Sequence, residues 1–212
     1  MKLFKLPLLV LWTAAAQGNA QTNAAPATEP PGGAVETLVC VRHGEKPTGG
    51  LGQLTCRGLN RALALPKVLL EKYGRPQFVF APNPAQKADT KLDPAGFYYV
   101  RPLATIEPTA IRCGLSVNTQ FGFLEITGLE RELEKPAYRG ATVFIAWEHS
   151  LLDAFARNLV EDAGGDPTQV PAWAGDEYDM IFVFRISTEN GRKHVAFTVD
   201  HEGLNGLSDN CP

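Results

Sequence analysis

Val39-Cys40-Val41-Arg42-His43-Gly44-Glu45-Lys46 joins an apolar, β-branched run to an arginine, a histidine and a glycine. Apolar runs of this kind form buried strands, and ligands of open α/β sheets bind beyond the carboxyl ends of such strands. Arg42 presents a planar fork of donors that suits phosphate, and His43 offers a ring nitrogen that is nucleophilic near neutral pH. Gly44 lets the backbone bend and approach a ligand. The stretch predicts a strand that ends at an anion-binding, nucleophilic site.

A second stretch repeats this arrangement. The apolar run from 141 to 147 predicts a strand, and Glu148-His149-Ser150 follows it directly. Because Ser150 and Asp153 match a capping pattern, we expect Ser150 to cap the helix that begins there. If the two strands are parallel neighbours, His43 and His149 meet at one edge of the sheet, beside the free N–H groups of a helix N-terminus. We refer to Arg42-His43-Gly44 as the first histidine corner and to Glu148-His149-Ser150 as the second. Together, the two corners predict an anion-binding site.

Strand and helix patterns alternate along the rest of the chain. We expect strands at 36–41, 77–81, 116–119 and 141–147, and a closing hairpin of strands at 179–186 and 194–199. Helical spacing predicts helices over 55–73, 101–111, 128–135 and from 150 to the glycines at 164–165. Thr55 and Gly74 are expected to cap the first helix, and Pro66 predicts a kink or a break in it. This order predicts an α/β fold: a three-layer sandwich with a largely parallel central sheet.

The first 33 residues are not expected to belong to the folded domain. Lys2 and Lys5 precede a short apolar run, and Gly18-Asn19-Ala20 is a small-residue cleavage site, so residues 1–20 predict a secretory signal peptide. The run is roughly half of the ~20 residues that a spanning helix needs. Residues 21–33 predict a flexible linker, and residues 34–212 predict one domain. We expect a secreted or periplasmic protein with no membrane attachment after signal removal.

The composition of the chain limits the kinds of ligand and partner that it is expected to bind. A net charge of -3, a pI near 5.8 and scattered basic residues argue against a nucleic-acid partner. There is no closely spaced His or Cys pair to predict a metal site, and no motif predicts a cofactor. Four cysteines allow three full pairings. We favour Cys56 with Cys211, which would staple the C-terminal tail, while Cys113 is a competitor and Cys40 is expected to be a buried free thiol.

The ordered motifs between Thr37 and Leu159 resemble those of the histidine phosphatase superfamily, which includes the phosphoglycerate mutases. Arg42-His43-Gly44-Glu45 is similar to the family's signature after the first strand, and Glu148-His149-Ser150 is similar to its second histidine. The segments between them also match, except that Ile106 replaces the usual Ala. These segments are Leu54-Thr55-x-x-Gly58-x-x-x-Ala62, then Arg101, Thr105, Glu107-Pro108 and Gly114-Leu115.

The resemblance implies a fold and a mechanism. The fold is expected to be phosphoglycerate mutase-like, and the substrate a small phosphorylated compound. His43 would attack phosphorus and form a phosphohistidine that water then hydrolyses, without a metal or cofactor. Arg42, Arg101 and His149 would bind the phosphoryl oxygens. The attacking ring must be neutral, so its other nitrogen is expected to donate a hydrogen bond, with the carbonyl of Gly44 as the expected acceptor.

The general acid is where the chain departs from the family's pattern. One branch of the family has an Asp directly after the second histidine, where this chain has Ser150. The other branch takes a Glu from a later loop, and Glu125 stands 24 residues after Arg101 in that region. Glu148 and Glu45 are alternatives by proximity. If none of them is the acid, we expect a preference for leaving groups that need little protonation, such as aryl or acyl phosphates.

Other functions remain open at the level of sequence. A non-catalytic phosphate-binding protein would keep the same pocket, and a metal-dependent hydrolase would use His43, His149 and a carboxylate as ligands. A sugar-phosphate mutase is disfavoured because its substrates are scarce outside the cytoplasm. The substrate is not specified by any motif, and we expect specificity to come from residues 49–54, 85–99 and 171–179. No pattern specifies an oligomeric state.

Overall fold

A computed structural model describes residues 34–49, 52–88 and 95–212 of the chain. The predicted signal peptide (1–20) and linker (21–33) lie outside the described residues, as do parts of the loops at 49–54 and 85–99. Within the described ranges, no helix combines the length and apolar character needed to cross a bilayer.

Eight strands and four α-helices form the described fold. The strands are β1 (Glu36–Arg42), β2 (Phe78–Phe80), β3 (Lys87–Ala88), β4 (Phe97–Tyr98), β5 (Val117–Asn118), β6 (Thr142–Trp147), β7 (Met180–Glu189) and β8 (Arg192–His201). The helices are α1 (Cys56–Tyr73), α2 (Arg101–Cys113), α3 (Ile126–Leu133) and α4 (His149–Asp162). All of the predicted strands and helices are present, with ends that shift by a few residues.

A six-stranded sheet with the order β5-β2-β6-β1-β7-β8 forms the middle of the molecule. The first four strands in this order pair in parallel, whereas β7 runs antiparallel to both of its neighbours. Asn190 and Gly191 both have positive φ, as a two-residue hairpin turn requires, and they join β7 to β8. The predicted largely parallel sheet is confirmed.

Two apolar cores lie on opposite faces of this sheet. In β1, Leu38 and Cys40 pack with α3 and α4, whereas Val39 and Val41 pack with α1 and α2. Since side chains alternate between the faces of a strand, one continuous apolar run can serve both cores. The result is the predicted three-layer sandwich.

Helix α1 is anchored at both ends. Thr55 caps its start by accepting a hydrogen bond from the N–H of Gly58 (3.1 Å), and Gly74, with a positive φ, ends it, as predicted. Pro66 lies inside the helix, which continues past it. An interior proline costs about 3 kcal/mol in a helix, and burial of Leu65 and Leu69 on the same face offsets such a cost. The predicted break does not occur.

The cysteines behave as predicted. A disulfide joins Cys56, the first residue of α1, to Cys211 near the C-terminus, with 4.5 Å between their Cα atoms. Cys40 and Cys113 are buried and free. The C-terminal tail is therefore held against the start of α1, on the side of the sheet where β1 ends.

Candidate active site

The two histidine corners are adjacent because β1 and β6 pair in parallel and end in register. Arg42 lies opposite Trp147 across the two strands, and the backbone N–H of His43 donates to the carbonyl of Trp147 (3.1 Å). His43 and His149 therefore emerge at the same edge of the sheet, as the sequence predicts.

His43 is held as a neutral ring. Its side chain is almost fully buried, and its Nδ1 lies 2.8 Å from the carbonyl oxygen of Gly44. Burial, followed by the positive charge of Arg101, lowers the pKa of His43 to about 3. Near neutral pH the ring carries one proton, and donation from Nδ1 to Gly44 leaves the lone pair on Nε2. The Gly44 carbonyl is thus the partner of the His43 ring, as the sequence analysis expects.

Gly44 is needed for packing rather than for approach to a ligand. A Cβ atom at this position would lie 2.9 Å from the carbonyl oxygen of Gly58 in α1, and one on Gly58 would lie 2.5 Å from the oxygen of Glu45. Gly44 also lacks a positive φ. The two glycines let the histidine corner pack directly on the first turn of α1, which corrects the sequence-based interpretation of Gly44.

Helix α2 holds the same corner from the other side. The N–H of Gly44 donates to Thr105 Oγ1 (2.9 Å), and this hydroxyl donates to the carbonyl of Arg101 (2.8 Å). Thr105 is completely buried, so its hydroxyl satisfies groups that water cannot reach. In the sequence, Thr105 is singled out only because the Arg101–Thr105 segment resembles a family motif. No local pattern predicts its contact with Gly44, which is 61 residues away.

Arg101 is placed by a loop that converges on the start of α2. The carbonyl of Gly52 accepts hydrogen bonds from the N–H groups of Val100 and Arg101, both at 3.0 Å. Gly52 has φ 63°, and a Cβ there would lie 1.9 Å from the oxygen of Tyr98, so only glycine fits. The guanidinium carbon of Arg101 lies 4.6 Å from the ring centroid of Tyr99, which packs edge-on to His43. Arg101 and Tyr99 thus form one wall beside the nucleophile.

Arg42 is also beside His43, but most of its donors are already used. Its Nη atoms donate to the carbonyls of Ala174 (3.1 Å), Gly175 (2.9 Å) and Glu177 (2.6 Å), and its Cζ lies 4.0 Å from the ring centroid of Tyr178. Nε is buried without a hydrogen-bond partner. Contrary to the sequence-based prediction, Arg42 therefore does not present its whole guanidinium to a ligand. Its Nη donors are bonded to the loop at 174–178, and Nε is the donor left for an anion.

At the second corner, Glu148 replaces Ser150 as the helix cap. Helix α4 begins at His149, and the Glu148 carboxylate accepts from the N–H of Leu151 (3.0 Å), whereas Ser150 lies inside the first turn. Asp153, the other half of the predicted capping pattern, accepts from the N–H of Trp173 (2.9 Å). A carboxylate of the chain itself thus occupies the helix N-terminus that the sequence analysis assigned to a bound anion.

Glu148 is an ionised carboxylate and not a proton donor. Its Oε1 lies 2.5 Å from Nδ1 of His149. Burial opposes its ionisation, but the contact with His149 and the backbone N–H groups outweigh burial and hold the pKa of Glu148 down at about 2. A carboxyl group with so low a pKa is a weak proton donor near neutral pH, which argues against the predicted role of Glu148 as the general acid.

The other two candidate acids also have partners. Glu45 pairs through both oxygens with the buried Arg61 (2.8 and 3.0 Å), which also binds Glu202. Glu125 is exposed, and its Oε2 accepts from the N–H of Gly122 within its own loop (2.6 Å). That loop borders the site, because the ring of Phe123 packs 4.6 Å from Tyr99, but no described contact joins the Glu125 carboxylate to His43.

Positive charge predominates around the first histidine corner, at His43. Lys46 lies close enough to Arg42 and Arg101 that burial, followed by their charges, lowers its pKa, and Glu148 is an opposing anion within range. Tyr99 and Tyr178 form aromatic walls 6.1 and 6.3 Å from the His43 ring. Sequence reasoning did not single out these tyrosines, although each lies in a loop that it marks for specificity. Among the described residues, no group of three or more histidine, cysteine or acidic side chains could hold a metal ion.

No protein-family model and no curated protein matches the sequence. Solved structures do match. The mycobacterial glucosyl-3-phosphoglycerate phosphatase aligns over 78% of this chain and 97% of its own, with 15% identity and a TM-score of 0.53. Phosphoglycerate mutase from Bacillus anthracis aligns over 78% and 93%, with 12% identity and a TM-score of 0.50. The protein therefore has a phosphoglycerate mutase-like α/β fold, which is the fold that its sequence resemblance implies.

Proposed function

We propose that the protein is an exported, metal-independent phosphatase that hydrolyses a small phosphomonoester through a phosphohistidine on His43. The observation that carries the proposal is the buried neutral ring of His43, whose Nδ1 is tied to Gly44 while Nε2 keeps its lone pair. A neutral imidazole nitrogen next to cationic side chains is suited to attack on a phosphate ester.

Each residue of the site has a part in this reaction. His43 Nε2 attacks phosphorus in line with the leaving oxygen. Arg42 Nε, Arg101 and His149 bind the equatorial oxygens, where charge accumulates in the transition state. Because Nδ1 of His43 keeps its bond to Gly44, the ring does not have to rotate between attack and hydrolysis. Water then attacks the phosphohistidine and releases phosphate.

Turnover of para-nitrophenyl phosphate by the purified protein tests the proposal. We expect phosphate release that persists in excess chelator and disappears in His43→Ala, but not in His194→Ala, which removes an exposed histidine on β8. Alkaline quenching with a phosphoryl-labelled substrate, which preserves the P–N bond, should trap label on the wild type and not on His43→Ala. Phosphate binding without turnover, or activity lost with the chelator, would contradict the proposal.

Export is a separate part of the proposal. It is supported by the charged and apolar pattern of residues 1–20 and by the Cys56–Cys211 disulfide, since disulfides persist in oxidising compartments. Fractionation of expressing cells should place the protein outside the cytoplasm. The amino terminus of the purified protein should then be Gln21, and a cytoplasmic protein that retains Met1 would refute export.

A further inference from the structure

We propose that His149 delivers the proton to the leaving group, that Glu148 positions and charges its ring, and that the substrates are consequently alkyl phosphomonoesters. The inference rests on the proposed phosphatase function and goes beyond it, since it identifies the missing proton donor and a substrate class. In this arrangement His149 is a catalytic residue and Glu148 a positioning residue.

The two nitrogens of the His149 ring have different neighbours in the second corner. Nδ1 lies 2.5 Å from Glu148 Oε1, a close charge contact whose direction is not that of a hydrogen bond, while Nε2 lies 3.5 Å from the hydroxyl of Ser150. The carboxylate is itself held in place, because its other oxygen caps α4 at the N–H of Leu151. About a fifth of the His149 side chain is exposed (21%), so a substrate can reach the ring. A carboxylate fixed in this way sets the ring orientation and leaves Nε2 for the substrate.

Carboxylates lie next to the His149 ring, one of them in direct contact with it. An ionised carboxylate in contact with Nδ1 stabilises an imidazolium, as the acidic member of a catalytic triad does. Asp153 adds a second negative charge from α4, while Arg42 and Lys46 interact with Glu148 from the first corner. The parallel register of β1 and β6 places the pair at the same edge of the sheet as His43, whose backbone N–H bonds to the residue before Glu148.

Every proton that is given up in the first step of the reaction is regained in the second. As His43 Nε2 forms its bond to phosphorus, the bond to the leaving oxygen breaks and that oxygen takes the proton from His149 Nε2. His149 is then neutral and keeps its Nδ1 proton beside Glu148. Water next attacks phosphorus and gives one proton to His149 Nε2. The P–N bond breaks, and its electron pair returns to His43. Phosphate and an alcohol leave, and both rings regain their starting states.

The presence of a positioned proton donor determines which phosphate esters the enzyme can hydrolyse efficiently. Alcohols are poor leaving groups, and donation by a positioned acid contributes about 10²–10⁴-fold for them. Nitrophenolate needs almost no protonation and gains little. The site is therefore expected to hydrolyse alkyl phosphates, in contrast to the preference for activated esters that a site without an acid would show.

Glu148→Gln tests the pair in the intact protein. An amide oxygen can still cap α4 at Leu151, so this change removes the charge and preserves the acceptor. We expect kcat for methyl phosphate to fall about 100-fold with little change in KM, and kcat for para-nitrophenyl phosphate to fall less than about 5-fold. Phenyl phosphate should lie between them. His149→Gln should steepen the same dependence, with a further loss common to all three esters because it also binds phosphate.

Glu125→Gln is the matched control, since Glu125 is a carboxylate on a loop that borders the same site. We expect it to keep the wild-type dependence on the leaving group. The proposal is overturned if Glu148→Gln lowers turnover of all three esters equally, or if Glu125→Gln steepens the dependence. Both results require an active wild type. Absence of turnover by the wild type would refute the proposed phosphatase itself, so the two failures are distinguishable.

Discussion

The histidine that follows β1 and the histidine that follows β6 occupy equivalent places but have opposite surroundings. His43 is 1% exposed and donates to a carbonyl of its own loop. The side chain of His149 is 21% exposed and contacts a carboxylate. Burial without a counter-ion favours a neutral ring, whereas a carboxylate partner favours a charged one. Two histidines at equivalent strand ends thus have different partners, one a backbone carbonyl and the other a carboxylate, and changes at each corner test this difference.

The largest effect is expected from His43→Asn. The Asn amide can still donate to the Gly44 carbonyl, so the corner should keep its backbone while the nucleophile is lost. We expect phosphatase activity to fall by about 10⁴-fold or more. Circular dichroism should show an unchanged fold. Retention of phosphohistidine in this variant would show that another residue is the nucleophile.

The same variant reports how the buried ring affects acid stability. His43 has a pKa of about 3 in the folded protein and near 6.5 when unfolded. Between these values the unfolded chain binds a proton that the folded protein does not, so stability falls as pH is lowered. From pH 6.5 to 4.5 the wild type should lose about 2 kcal/mol of unfolding free energy relative to His43→Asn. Parallel urea titrations measure this difference, and equal losses in the two proteins would show that His43 titrates normally.

Thr105→Val should loosen the first corner by removing the acceptor of the Gly44 N–H. A buried N–H left without a partner is expected to cost about 2 kcal/mol of unfolding free energy. Thr109→Val on the same helix is the control, because the Thr109 hydroxyl is buried without a partner and its loss should cost little. Urea unfolding of the two variants provides the comparison. Similar losses in both would mean that the Thr105 hydrogen bond contributes nothing specific.

The smallest effect is expected from Ser150→Ala at the second corner. Loss of a true N-cap typically costs about 1 kcal/mol, but Glu148 is the cap here. Because Ser150 is exposed and its hydroxyl caps nothing, we expect a change below about 0.5 kcal/mol in thermal or urea unfolding. A loss of a full kcal/mol would show that the helix uses the Ser150-x-x-Asp153 pattern.

Most of the fold could be predicted from the sequence because its signals are local. The apolar runs of β1 and β6, the Thr55 cap and the Asn190-Gly191 turn all lie within a few residues of the structure they specify. The resemblance to histidine phosphatases then correctly placed both histidine corners. The cap of α4 was predicted wrongly because two acceptors, Ser150 and Glu148, compete within three residues, and periodicity does not distinguish them.

The partners of the site residues were much harder to predict. The carbonyls that hold Arg42 are at 174–177, more than 130 residues along the chain. Glu45 pairs with Arg61, which also binds Glu202 from the C-terminal tail. No local pattern reports such long-range pairs, so three carboxylates looked equally available as acids in the sequence.

The sequence by itself determined that two buried strands end in histidines, that an arginine precedes the first of them, and that helices follow both. These features depend on side-chain periodicity and on caps, which act over a few residues. Only the tertiary structure decided the protonation state of the His43 ring, the partner of the His149 ring and which donors of Arg42 stay available for a phosphate. Those properties depend on burial and on charges brought together from distant segments, as the Arg101 charge beside His43 and the Glu148 carboxylate against His149 illustrate.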